Sequence, residues 1–301
     1  MTIKLNKWMK RTIITLVSAA FLYWGCSTIW NNILYSPMVN DGYQQKIDYK
    51  GEIERTYAMN GALAIDSFAV ESGNERTKRF EVWFPKEMRT TQKKFPLVVM
   101  ANGTGVFASR YKPIFEHLAS WGFIVAGNED GSSWWGHGTA ATLDFILKQN
   151  TTLGSIFYGK VNVEAIGLAG HSQGGVATFH AATDFDNSHY YKAICAMSGN
   201  DPSVAEKIQC PVLLMMGTGG LDANGMKGVM ECYSKIKSQP VVVGRLRNTE
   251  HGDVLPRGDA YMTAWMRYWL CGDQQAAKCF VGNHAEIMSN KGWQEQKRKG
   301  L

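Results

Sequence analysis

Short apolar runs alternate with segments of helical spacing along most of the chain. Ala62–Val70 and Arg79–Phe84 read as two strands, and Glu71–Lys78 between them, with Gly73-Asn74 inside it, reads as a hairpin turn. Phe95–Met100 predicts a third strand and Phe123–Ala126 a fourth. Between these, Tyr111, Ile114, Phe115 and Leu118 fall on one face of a helix that Gly122 ends. Leu143, Ile146 and Leu147 mark the next helix. Val161–Ala169 first alternates and then turns wholly apolar, as a strand buried in a parallel sheet does. Tyr191–Met197, Pro211–Met216 and Pro240–Leu246 continue the series, and Tyr261, Ala264, Trp265, Tyr268 and Trp269 predict a last helix. An opening hairpin followed by strand–helix alternation specifies an α/β domain, an eight-stranded, mostly parallel sheet with helices on both faces. No internal repeat or low-complexity segment interrupts it.

A chain of 301 residues can build one large domain, and 45% hydrophobic content is ordinary for a globular protein. The net charge is +6, but Lys4, Lys7, Lys10 and Arg11 precede an uncharged stretch, Thr12–Trp30, and supply four of those charges. A cationic start and an apolar run close to a bilayer's span describe a secretory signal or an uncleaved anchor. Small residues would permit cleavage after Ala20 or Ser27, although the length of the run favours the anchor. Cys26 raises a lipidation reading, which Tyr23 and Trp24 disfavour. Residues 1–30 are therefore read as signal peptide or membrane anchor, 31–60 as a polar connector, and 61–301 as the folded domain. The domain is expected on the far side of the membrane, periplasmic or extracellular, either secreted or tethered, and as a monomer. Lys297-Arg298-Lys299 reads as a solvated tail, and no basic–aromatic patterning argues for nucleic acid.

Export permits disulfides. Cys271 and Cys279 flank a short polar loop, and an antiparallel return would bring Cys210 close to Cys232, so both pairs are expected to be bonded. Cys195, inside an apolar strand, is expected to stay a buried free thiol. No spacing resembles a zinc site, and no metal or cofactor is expected.

The most specific chemistry lies at Gly170-His171-Ser172-Gln173-Gly174-Gly175, directly after the apolar strand. Val176, Ala177, Phe179, His180 and Ala181 continue it as a helix. Strand, sharp turn and helix with serine at the tip form a nucleophile elbow. The turn crowds strand against helix, so residues without side chains are needed at Gly170 and Gly174. A serine hydroxyl also needs a base, and the base an orienting carboxylate, in the chain order serine, acid, histidine. Of the downstream histidines, His180, His189 and His284 fall in the elbow helix, before the sixth strand and in the tail, whereas His251 occupies the loop after the eighth strand. Asp222 is the one carboxylate in the loop after the seventh strand, Gly217–Gly225, and a helix cap is its bland alternative. Asp201, after the sixth strand, is the second candidate, and Asp253 is too near His251 in sequence to reach its ring.

Two backbone donors are needed for an oxyanion. One is the Gln173 amide, and the other comes from the turn Ala101–Gly105, with Thr104 first and Gly105 next. The paired Trp134 and Trp135 in the Gly/Ser loop after the fourth strand open on the same sheet edge. They line a substrate subsite or cover a neighbouring helix. The sixth strand ends near Ser198 and the seventh begins at Pro211, and the twelve residues between them are too few for a lid, so the site is expected to be open.

The Gly103 turn, the elbow at Ser172, Asp222, His251 and the ending Ala264-Trp265 through Leu270, Gly272-Asp273 and Phe280 resemble the lidless chlorophyllase, cutinase and polyester-hydrolase branch of the α/β-hydrolases. The resemblance covers Ala62–Gly282. It implies the α/β-hydrolase fold without a lid domain, and hydrolysis of a small-molecule or lipid-like carboxylic ester through an acyl-enzyme, without a metal. Polyester-cleaving members usually carry an aromatic residue at the first oxyanion position, where this chain has Thr104. Acyl transfer or amide hydrolysis would use the same three residues, and a non-catalytic binding protein on this scaffold is the rival from another class.

Overall fold

The computed structural model describes residues 38–237 and 239–301; the leader expected over residues 1–30 lies outside them. Among the described residues nine strands form one sheet: β1 (Ile65–Glu71), β2 (Arg79–Pro85), β3 (Phe95–Ala101), β4 (Ile124–Asn128), β5 (Val161–His171), β6 (Tyr191–Met197), β7 (Val212–Gly217), β8 (Val241–Leu246) and β9 (Trp293–Lys299). Their order is β1-β2-β4-β3-β5-β6-β7-β8-β9. Strands β3 to β8 run parallel, while β1, β2 and β9 close the two sides with antiparallel pairings. The parallel strands therefore all end on one edge, where this architecture gathers its functional loops.

The longer helices are α1 (Glu52–Ala58), α2 (Lys112–Ser120), α3 (His137–Thr151), α4 (Gln173–Ala181), α5 (Met226–Lys235) and α6 (Val254–Cys271). Two short ones, α7 (Gln274–Ala277) and α8 (Glu286–Ser289), follow. Successive strand residues point to opposite faces and feed two apolar layers. Val98, Met100, Leu213 and Met215 pack with Phe115 and Leu118 of α2 and with Tyr261 and Trp265 of α6. Leu97, Val99, Leu214 and Met216 pack with Leu143 and Ile146 of α3, Phe179 of α4 and Val229 of α5. With both faces covered, the central strands read as continuous apolar runs, which is why they were visible in the sequence. Trp265 is fully buried, and truncating such a side chain costs about 3–5 kcal/mol. Between β6 and β7 the chain makes one three-residue 3-10 turn, Ala205–Lys207, and no lid is inserted there.

Three expectations are corrected. The segment from Met38 to Asn60 is not a loose polar connector, because it carries a 3-10 turn at Tyr43–Lys46 and the helix α1. Tyr43, Tyr49 and Tyr57 are buried; the Tyr43 hydroxyl donates to Asp259 of α6. The first amides of α1, at Ile53 and Glu54, donate to the Glu286 carboxylate at 2.6 and 2.8 Å. The polar sequence misled because what it buries is mainly tyrosine rings and the hydrogen-bonded Glu54 carboxylate. Second, Lys297-Arg298-Lys299 is not a solvated tail but part of β9, the ninth strand, paired with β8 through Val241↔Lys299, Val242↔Arg298 and Val243↔Lys297.

Third, all five described cysteines are free thiols, so neither expected disulfide forms. Cys232 faces Asn200 Oδ1 at 3.9 Å, just beyond the carboxyl end of β6, whereas Cys210 precedes the amino end of β7. The return of α5 leaves them at opposite ends of the sheet. Cys279 is buried in the apolar layer with Trp265 and Phe280, while Cys271 is exposed at the end of α6. Cys195 is a buried free thiol, and burial pushes its pKa well up. Among the described residues no helix is long and apolar enough to cross a membrane.

Candidate active site

Strand β5 ends at His171 and α4 begins at Gln173, so Ser172 alone makes the turn. Its backbone lies at φ 59° and ψ −124°, a conformation that costs a residue with a side chain about 1–3 kcal/mol. The neighbours explain how it is held. A Cβ on Gly170 would come within 2.3 Å of the Gly174 carbonyl oxygen, and one on Gly174 within 2.1 Å of the Ala101 carbonyl oxygen. Larger residues would push the helix off the strand. The Ser172 amide donates to the Met197 carbonyl at 2.8 Å and ties the turn to β6.

His251 follows β8 in a 3-10 turn, and its Nε2 lies 2.9 Å from Ser172 Oγ. Its Nδ1 lies 2.7 Å from Asp222 Oδ1, so Nδ1–H donates to the carboxylate and Nε2 accepts from the hydroxyl. Asp222 is buried after β7, and its other oxygen accepts from the Ser198 hydroxyl at 2.5 Å and the Gly217 amide at 2.8 Å. Burial by itself would raise its pKa, but the hydrogen bonds from His251, Ser198 and Gly217 outweigh burial and hold the carboxyl below its usual range. The fold thus brings together Ser172, Asp222 and His251 from three separate loops. Asp201 is elsewhere: its carboxylate faces His180 Nε2 at 3.0 Å.

The turn after β3 is fixed from both sides. The Gly103 amide donates to the Tyr111 hydroxyl at 3.0 Å, and the Gly105 amide to the Gly131 carbonyl at 2.8 Å. The Gly105 donor is therefore taken, while the Thr104 amide has no partner among the described residues. Gln173 opens α4, where the first amides have no carbonyl of their own helix to bond. Asn102 Nδ2 donates to the carbonyls of Asn128 and Asp130 at 2.6 and 2.9 Å, and the Ser133 hydroxyl donates to the Asn102 carbonyl. This network links the turn after β3 to the loop that carries the tryptophans.

Trp134 and Trp135 are 43% and 57% exposed, so neither belongs to the core. Trp135 also meets the His180 ring of α4 edge to face, with centroids 4.9 Å apart. The contact with α4 fits the helix-cover reading for Trp135. Gly136, at φ +74°, follows them, and a Cβ there would strike the Ala181 amide nitrogen at 2.8 Å. The loop is pinned on α4 by that close approach.

Four residues at the site escaped the sequence reading. His171 Nε2–H donates to the His251 carbonyl at 2.7 Å, and the two rings lie 4.9 Å apart. Burial pushes the His171 pKa down to about 4, so the ring is neutral near pH 7. Ser198 holds the acid, Tyr111 holds the Gly103 turn, and Arg245 donates to the acid loop. The clue for Arg245 was a charge inside the otherwise apolar run Val241–Leu246. For Ser198 and Tyr111 the sequence carried no distinguishing signal.

A strand–serine–helix turn facing a histidine and an aspartate from successive loops agrees with the match of this chain to a family model described as PETase, PET hydrolase-like, over residues 53–298. The chain belongs to the PET hydrolase-like family. It is thereby a cutinase-like α/β-hydrolase, and the family's members are hydrolases acting on esters. No curated protein matches it.

Proposed function

We propose that this chain is a serine carboxylic-ester hydrolase working through an acyl-enzyme. The observation that carries the reading is the continuous hydrogen-bond line from Ser172 Oγ through His251 to Asp222, at 2.9 and 2.7 Å, set at the tip of an elbow. Ser172 Oγ attacks the ester carbonyl carbon while His251 Nε2 takes its proton. The oxyanion accepts hydrogen bonds from the Thr104 and Gln173 amides. Collapse of the tetrahedral intermediate breaks the bond to the alkoxy oxygen, which leaves with the proton held on Nε2. Water then attacks the acyl carbonyl and gives a proton to the same nitrogen; collapse of this second intermediate breaks the bond to Ser172 Oγ, which takes that proton back as the carboxylic acid leaves. Asp222 fixes the Nδ1–H tautomer and stabilises the ring while it is charged.

Trp134 and Trp135 form one wall of the entrance, and the substrate is a small-molecule or lipid-like ester. Thr104 supplies no aromatic surface beside the oxyanion, so a polyester is the less fitting substrate. The domain works as a monomer on the outer side of a membrane, delivered by residues 1–30 as signal or tether. A fluorophosphonate tests the chemistry: Ser172 becomes covalently labelled and hydrolysis of a p-nitrophenyl ester stops. An unlabelled serine in folded protein, or labelling elsewhere with activity lost, overturns the reading. Intact-mass analysis of protein from its native host tests the location, since a cytoplasmic protein retaining Met1 would defeat export.

A further inference from the structure

The geometry points to Arg245 as a positioning residue for Asp222, held from behind by Glu295 on the last strand; this rests on the roles proposed above for Ser172, His251 and Asp222. Arg245 is the one charged residue of β8 and is buried. Its Nε donates to the Gly217 carbonyl at 2.9 Å. Its Nη2 donates to the carbonyls of Asp222 at 3.1 Å and Ala223 at 3.2 Å. Gly217 is the last residue of β7, and its amide holds the Asp222 carboxylate. One rigid planar group therefore grips both ends of the turn that presents the acid. A lysine ammonium, a single point on a flexible stem, cannot span that set.

The groups that keep Asp222 ionised against its burial are His251, Ser198 and Gly217. A buried guanidinium is costly unless paired, and the partner here is Glu295, whose Oε2 lies 3.3 Å from Nη1. The backbone is bent to supply it. Val243 pairs with Lys297 and Arg245 with Gln294, so Glu295 and Gln296 both fall opposite Gly244. This is a β-bulge, a device that re-aims a side chain at a sheet edge. Glu295 sits in it at φ 54°, a left-handed conformation that residues with side chains rarely adopt. Gly244 makes room, since a Cβ there would approach Trp293 Cε3 to 3.0 Å. A strained residue on the final strand is thus aimed at the arginine that shapes the acid loop.

The test compares Arg245→Lys, Arg245→Met and Glu295→Gln with the wild type on a p-nitrophenyl ester, each titrated with a fluorophosphonate to count working sites. Per working site, the arginine variants should lose roughly 10- to 100-fold in kcat, as expected for a misplaced catalytic group. KM should stay within about twofold, because the interaction matters in the transition state and not in ground-state binding. Glu295→Gln, at a half-exposed side chain that does not threaten folding, should show the same pattern at about three- to tenfold. A purely structural role would reduce the number of titrated sites and leave kcat per working site unchanged. That result, or folded variants with kcat within about twofold of wild type, overturns the inference. An unlabelled wild type would overturn the functional reading and this inference with it; a labelled wild type with unaffected variants overturns this inference alone.

Discussion

His251 and His180 each hold a carboxylate at hydrogen-bond distance, 2.7 Å to Asp222 in one case and 3.0 Å to Asp201 in the other. They differ at the second ring nitrogen. His251 turns it toward the Ser172 hydroxyl, and its side chain is 21% exposed. His180 is buried and turns it toward another carboxylate, Asp184, at 2.7 Å. With an aspartate facing each nitrogen, His180 has no ring nitrogen turned toward a nucleophile. Asp201 and Asp184 are both held below the usual carboxyl range; burial opposes this, but the hydrogen bonds from His180 and from Ser203 and Thr183 outweigh it. The His180 cluster therefore joins the elbow helix to the β6–β7 loop and supports Trp135. A histidine–aspartate pair does not mark an active site by itself. The free second nitrogen facing a nucleophile does.

The hardest blow to this contrast is Ser172→Ala, which removes the group that His251 faces. It should lower kcat by roughly 10⁴- to 10⁶-fold with the circular dichroism spectrum unchanged. A folded variant near wild-type turnover would dissolve the distinction between the two histidines. Next comes the exchange of acids. Asp222→Asn should cost roughly 10³- to 10⁴-fold in kcat, because the amide neither stabilises the charged ring nor selects its tautomer. Asp201→Asn should cost less than about tenfold, and the reverse ranking in a simple rate assay would move the catalytic acid to the β6–β7 loop.

A third histidine sharpens the comparison through pH. His171 is buried neutral, its pKa lowered to about 4, so it favours the fold above the unfolded value near 6.5. That contribution is lost as pH falls from about 6.5 to about 4, a loss of about 3 kcal/mol if the shift is fully expressed. Asp222, Asp201 and Asp184, all depressed, lose theirs only below the unfolded value near 4. His117 acts on the other side: burial works against its charge, but Asp259 raises its pKa, so its contribution is full below about 6.5 and lost above. Urea unfolding at pH 7.5, 6 and 4.5 should show the intermediate loss, and His171→Gln should flatten it. An unchanged slope in that variant would assign the acid sensitivity elsewhere. The smallest effect expected is that of Trp135→Ala, which should raise KM for an aromatic acyl ester about fivefold more than for an acetyl ester. Equal changes for both would remove Trp135 from the substrate wall and leave it a cover for His180.

The legible parts of this molecule were those where one physical rule acts alone. Strands covered on both faces announce themselves as apolar runs, and the elbow announces itself because glycine alone tolerates the approach at Gly170 and Gly174. Asp222 and His251 could be named because loop position after β7 and β8 limits the candidates to few residues. The rest was hidden by composition or by geometry. β9 reads Trp-Gln-Glu-Gln-Lys-Arg-Lys, since an outer strand needs little apolar surface. α1 packs through Glu54 against Asn290 and Trp293 and through Tyr57 against Trp121, contacts that leave no periodicity in its seven residues. The disulfide expectation failed because adjacency in the topology says nothing about which end of the sheet each thiol occupies.

The outermost strand also decides how these molecules treat one another. Val241, Val242 and Val243 of β8 are fully buried, and the backbone edge beside them is occupied by Lys299, Arg298 and Lys297. An open strand edge is a template on which a second chain can pair, and cationic side chains discourage it. Trimming the last residues would exchange a charged border for a β-branched one. The outcome would be a chain that aggregates from solution before its loss of turnover could be measured, so tags and fusions belong where they leave β9 seated.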